Sequence, residues 1–146
     1  MRMTCTVVVC GFFGDTGKGK VTSYLALKDK IAVAARAGGG TNAGHTVVHK
    51  GKEYKLRMLP SAFVYERCRL LMGPGVLVDS DVLLQEARLT GSEGRLGVDR
   101  QCAIIEPRHI EADKGGHLAK EIGSTGSGTG PCNAERALRK VRLARD

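Results

Sequence analysis

The chain has 146 residues, 42% hydrophobic and 26% charged, which suffices for one globular domain with its own core. A formal net charge of +8 favours anionic partners such as nucleotides, although a merely basic surface reads the same way; aromatics at 4% with no Trp leave few stacking platforms for single-stranded nucleic acid. Cysteines at 5, 10, 68, 102 and 132 form no CxxC pair, which argues against a zinc site or a disulfide framework and for reduced, buried thiols in a cytoplasmic protein.

Taken in chain order, "TCTVVVC" (4–10) is a β-branched apolar run, too short for a signal peptide, and reads as a buried strand of a parallel sheet. The Gly-rich stretch "GFFGDTGKGK" (11–20) follows, then a helical spacing of Val21, Tyr24, Leu25 and Lys28 over 20–30, then a second strand at 31–35. Strand, Gly loop, helix and strand make a βαβ unit. Residues 35–45 are a loop by composition, and "TVVH" and "EYKLRML" flank Lys50-Gly51-Lys52 as a hairpin. Further strands are expected at 69–72 and 102–106, and a helix over 81–89 capped by Asp79 or Ser80. A weak helical stretch then leads to "GSTGSGTGP" (123–131), a linker by composition. The spacing of Ala134, Ala137, Leu138 and Val141 predicts a basic helix from 132 to Asp146, with no capping Gly. No run is long and apolar enough to span a membrane.

The Gly loop departs from the usual phosphate loop, GxxxxGK followed by Ser or Thr. Phe12 stands where the first Gly belongs, and Gly19 follows Lys18, so the hydroxyl that would ligate Mg²⁺ is missing. Gly14, Gly17 and Gly19 can still turn successive N–H groups toward a phosphate, and the helix start and Lys18 add positive field. Asp15 lies inside this loop. A carboxylate beside phosphates is repelled unless a cation lies between them or it takes a proton from the substrate, so its placement implies metal or base work. Taken singly, these residues have duller readings: Asp15 as a turn former, His45 as a satisfied loop histidine like His49, His109 and His117, and Arg139 as one charge on a solvated face.

"GDTGKGK" followed by "GGGTNAGHTVVHKGKEYKLRMLPS", "GPGVLVDSDVLLQE" and "IGSTGSGTGP" resembles the adenylosuccinate synthetase family, in order and over nearly the whole chain, with a spelling nearest to its short archaeal or phage-type members. The resemblance implies an α/β fold: a mostly parallel sheet, a P-loop-like strand–Gly loop–helix start and a β-hairpin insertion. It implies a GTP- and Mg²⁺-dependent ligase of AMP biosynthesis. GTP phosphorylates O6 of inosine monophosphate (IMP), and L-aspartate then displaces the phosphate. Asp15 matches the family's base, which takes the N1 proton and ligates Mg²⁺. His45 matches the histidine that hydrogen-bonds the departing phosphate, and the Gly44 carbonyl a second Mg²⁺ ligand. GTP contacts carry over to Gly14, Asp15, Thr16, Gly17, Lys18, Gly19, Lys20, Gly44, His45 and Thr46. IMP contacts carry over to Asp15, Thr16, Gly17, Lys18, Asn42, Ala43, Gly44 and His45, with Thr125 on the IMP phosphate and Arg139 reaching IMP in the partner of a homodimer. No nucleic-acid or membrane partner is implied.

Several positions depart from the family pattern. Phe13 replaces a usual Trp, Thr16 a usual Glu, and Pro74 stiffens a turn. Family members are much longer, and the parts that read guanine and bind aspartate have no counterpart here. Residues 1–146 are therefore expected to be the N-terminal portion of the domain. The competing expectations are a non-catalytic nucleotide-binding fragment and a phage-type 2-aminoadenylosuccinate synthetase that uses deoxyguanylate. In the latter group the loop aspartate tends to be replaced, so Asp15 favours IMP.

Overall fold

Apolar runs of three or four residues build the central sheet. In this computed structural model, which describes residues 4–12, 14, 16–115 and 123–146, β1 (Val33–Arg36), β4 (Arg69–Met72) and β6 (Leu96–Val98) pair in parallel in the order β1-β4-β6. The middle strand, "RLLM", buries Leu70 and Met72 almost completely, each contributing about 1.5–3 kcal/mol through removal from water. An antiparallel hairpin, β2 (His45–His49) and β3 (Lys52–Leu56), turns at Lys50 (φ 50°) and Gly51 (φ 75°), the two positive-φ residues that a tight two-residue turn demands. A small parallel pair, β5 (Leu77–Val78) with β7 (Ala103–Ile104), completes the strands.

Among the described residues, four α-helices pack with them: α1 (Lys18–Asp29), α2 (Ser80–Thr90), α3 (Pro107–Gly115) and α4 (Thr129–Ala137). Asp79 caps α2 as expected, its carboxylate accepting the Val82 N–H at 3.1 Å. The main core gathers Val47, Leu56, Met58, Leu59, Leu70 and Met72; a smaller one forms where Cys132 of α4 meets Leu77, Ala103 and Ile105.

Three sequence expectations are corrected. Residues 4–10 form no strand, so the P-loop-like start consists of the Gly loop and α1 alone and no βαβ unit precedes β1. A strand needs a ladder partner and a covered face; among the described residues this segment has no partner, and Val7 is 75% and Val9 79% exposed. The C-terminal helix stops at Ala137 rather than running to Asp146. Arg139 takes a left-handed φ of 58°, its N–H bonds the Arg136 carbonyl and that of Lys140 bonds the Glu135 carbonyl, so a Schellman motif closes α4 without glycine. The chain then turns back, and Leu143 bridges Ala103. Of the stripe expected on this helix, Ala134, Ala137 and Leu138 are exposed, whereas Val141, beyond the helix end, is half-buried against the smaller core, and Cys132 is inside. Finally, the thiols are not uniformly buried. Cys68, Cys102 and Cys132 are, whereas Cys5 is exposed and Cys10 is half-buried.

Candidate active site

The Gly loop delivers α1 with its first turn open. Gly14 (φ 74°) and Gly17 (φ 77°) are both left-handed, and Gly17 caps α1 with no side chain over its leading N–H groups. Such an end attracts phosphate oxygens. Lys18 opens the helix with its Nζ 3.4 Å from the Thr16 hydroxyl, which lies 3.0 Å from the Cys10 sulfur. This hydrogen bond from Thr16, with Lys18 nearby, holds the Cys10 thiol below its usual range. Lys20 is exposed on α1. Asp15, expected as base and metal ligand, lies outside the described residues, as does Phe13.

Gly19 stands where a standard phosphate loop carries Ser or Thr. It is buried, and a Cβ there would lie 3.1 Å from the Cβ of His45 and 3.2 Å from the Ser61 hydroxyl oxygen. The space that a Ser or Thr side chain would need there is taken by the His45 side chain and the Ser61 hydroxyl.

His45 opens β2 opposite Leu56. Its Nε2 is buried and has no hydrogen-bond partner among the described residues. Burial first, then the Arg36 guanidinium, pushes its pKa below the ordinary value, while Glu86 and the backbone at Leu59 and Ala43 pull the other way. The ring is therefore neutral near pH 7, with one nitrogen uncommitted. It borders an open cavity of about 400 Å³ with Gly44, Thr46, Lys55, Leu56 and Arg57. Asn42, Ala43 and Gly44 are exposed beside it, and the Asn42 side-chain oxygen accepts the Gly40 N–H at 3.3 Å.

Two charged side chains missed by sequence reasoning brace this segment. Glu86, only 6% exposed, accepts the N–H groups of Arg57 (2.6 Å), Met58 (2.9 Å) and Leu59 (2.8 Å). Arg36 donates to the carbonyls of Gly38 (3.3 Å), Gly40 (2.7 Å), Met58 (3.1 Å) and Arg57. Arg36 thus ties the backbone leading into 42–45 to that of 57–58, and Glu86 holds 57–59 in place. A signal for Glu86 existed: it lies three residues after Leu83 on the buried stripe of α2.

Residues 123–128 close the other flank. Thr41 reaches the Ser127 carbonyl at 3.5 Å, and a Cβ at Gly40 would stand 2.9 Å from the Thr129 hydroxyl oxygen. Thr125 is exposed, sharing a 2.9 Å hydrogen bond with Ser127. This stretch docks onto its neighbours, so the linker reading gives way. The segment 40–45 thus joins the Gly loop, through His45 and Gly19, to the loop that carries Thr125. Arg139 is not brought into this group: α4 separates it from Thr125 by roughly 14 Å of helix axis.

A protein-family model described as adenylosuccinate synthetase matches residues 7–145. The chain belongs to the adenylosuccinate synthetase family. The adenylosuccinate synthetase of Archaeoglobus fulgidus is 51% identical over 99% of this chain and 43% of its own length, and that of Methanocaldococcus jannaschii gives the same figures. Among solved structures, a fully ligated adenylosuccinate synthetase from Plasmodium falciparum superposes with a TM-score of 0.82 at 29% identity, covering 90% of this chain and 32% of that one. A cyanophage S-2L succinoaminodeoxyadenylate synthetase, bound to dGMP and dATP, gives 0.76 at 32% identity, covering 86% and 36%. The chain therefore spans less than half the length of these adenylosuccinate synthetases, and its mixed α/β fold with a parallel sheet is theirs in part.

Proposed function

We propose that this chain carries the phosphoryl-transfer part of an adenylosuccinate synthetase: GTP phosphorylates O6 of IMP, and the amine of L-aspartate displaces that phosphate to give adenylosuccinate. The observation that carries the reading is His45, a neutral, half-buried imidazole whose Nε2 has no protein partner among the described residues and which is packed against the start of a Gly-loop helix. A buried polar atom without a partner is costly, and a ligand oxygen would satisfy it.

Each residue then has a chemical task. The open N–H groups after Gly17 and the Lys18 ammonium receive phosphate oxygens. The His45 N–H donates to the phosphoryl group as charge builds on it. Asp15 takes the N1 proton of IMP, which makes O6 a better nucleophile. Asn42, Ala43 and Gly44 orient the purine, Thr125 holds the IMP phosphate, and Arg139, displaced along α4, serves the site of a second copy in a homodimer. The donors on offer for a cation are hard oxygens: the Asp15 carboxylate and the carbonyl of Gly44, which is exposed at the cavity. They fit Mg²⁺, which takes one or two carboxylates with substrate phosphates and water, and no converging group of three His, Cys, Asp or Glu occurs among the described residues. Bound there, Mg²⁺ would neutralise phosphate charge. The compartment we propose is the cytoplasm; among the described residues no helix is long and apolar enough to cross a membrane.

The test is formation of adenylosuccinate from GTP, IMP, aspartate and Mg²⁺, with calorimetric binding of IMP and GTP alongside. Product that disappears in Asp15→Ala and His45→Ala supports the reading. Equal product from Asp15→Ala sinks it, and nucleotide binding with no product marks a binding fragment.

A further inference from the structure

The loop 123–128 has a buried anchor that the proposed chemistry does not use. Asp113 on α3 is 2% exposed, and each of its carboxylate oxygens has a donor from this loop. The Ser124 hydroxyl donates at 2.6 Å and the Gly128 N–H at 2.8 Å. Gly123, Gly126 and Gly128 all have positive φ, a backbone that is entropically expensive to order. Gly128 lies directly on α3, where a Cβ would stand 2.9 Å from the Ile110 nitrogen; at Gly126 a Cβ would stand 3.1 Å from the Lys114 side chain.

The same face of α3 holds α4. One turn before Asp113, His109 accepts the Glu106 N–H at its Nδ1 (2.9 Å), so its Nε2–H donates to Glu135 (3.2 Å). The helices are thus locked by His109, and residues 124 and 128 are held by Asp113. A buried carboxylate contributes little net stability compared with an apolar side chain, but a two-point grip fixes one geometry of a glycine-rich segment.

We propose that Asp113 is a positioning residue for the loop 123–128, holding it in the form that receives the phosphate of a purine nucleotide. The inference rests on the assignment of Thr125 made above.

Calorimetric titration of the full chain with inosinate and with inosine, which lacks the phosphate, tests it. Wild type is expected to prefer inosinate. Asp113→Asn keeps the size of the side chain but loses an acceptor; inosinate affinity should fall about tenfold with inosine affinity unchanged. Ser124→Ala removes one donor on a half-buried residue, should fall by about threefold, and serves if Asp113→Asn does not fold. Equal inosinate affinity in the variants and wild type overturns the positioning role while leaving the proposed function standing. An equal loss for both ligands also overturns it, since that is general loosening. A wild-type chain with no preference for inosinate overturns the Thr125 assignment, and this inference with it.

Discussion

Gly19 and His45 occupy one packing site: a Cβ on the glycine would meet the Cβ of the histidine at 3.1 Å. Restoring the standard loop spelling with Gly19→Thr should therefore damage the protein, not improve it. Gly19→Ala is expected to cost about 1 kcal/mol and Gly19→Thr up to about 3 kcal/mol, as for other overpacked sites. Thermal melts of both variants check this; an unchanged melting temperature in Gly19→Thr would show that the contact is not tight.

Glu86 satisfies three consecutive backbone N–H groups. Glu86→Ala leaves them without an acceptor, with the half-buried guanidinium of Arg36 nearby, and should cost about 3 kcal/mol. Glu86→Gln keeps one acceptor oxygen and should cost less than half as much. Urea midpoints for the two variants should fall in that order, and a reversed order would contradict the network.

Burial, with Glu135 adding to it, pushes the Cys132 thiol up to about 11, and burial pushes Cys68 and Cys102 in the same direction. In the unfolded chain these thiols ionise near 9, so between pH 9 and 11 the folded state holds protons that the unfolded state has lost. Stability is then complete below pH 9 and declines as pH rises toward 11, by up to about 2–3 kcal/mol for Cys132. Denaturation curves recorded from pH 8 to 11 should show this, and Cys132→Ala should flatten the slope. The same slope in the variant would assign the effect elsewhere.

Arg139 holds a left-handed conformation where glycine is usual. Arg139→Gly should stabilise the chain by about 1 kcal/mol through relief of that backbone. If the side chain serves a partner's site, the same substitution should weaken IMP binding in mixed dimers. Differential scanning calorimetry and IMP titration of such mixtures give the two readouts. A variant that is more stable and equally tight would leave the trans assignment without support.

The legibility of the sequence varied with the range of the interactions. "RLLM", the hairpin about Lys50-Gly51 and the Asp79 cap follow from local pattern, and all three stand in the fold. Strand formation at 4–10 depended on a partner strand, which composition cannot reveal. The end of α4 was invisible because its signal is a left-handed arginine. At the site, the Gly loop, the 42–45 segment and Thr125 could be named from motif and resemblance. Glu86 and Asp113 were passed over, because a carboxylate in a helix reads as solvated until the backbone N–H groups it faces are known, although the place of Glu86 on the stripe of α2 gave a hint.

β1 is bonded to β4 along one side, and no strand lies along its other side among the described residues. Val33 is half-exposed there. An open row of amides and carbonyls beside a valine is a template for intermolecular strand addition. Handled alone at high concentration, the chain should therefore tend to self-associate, and a lysine introduced along that margin should keep it dispersed.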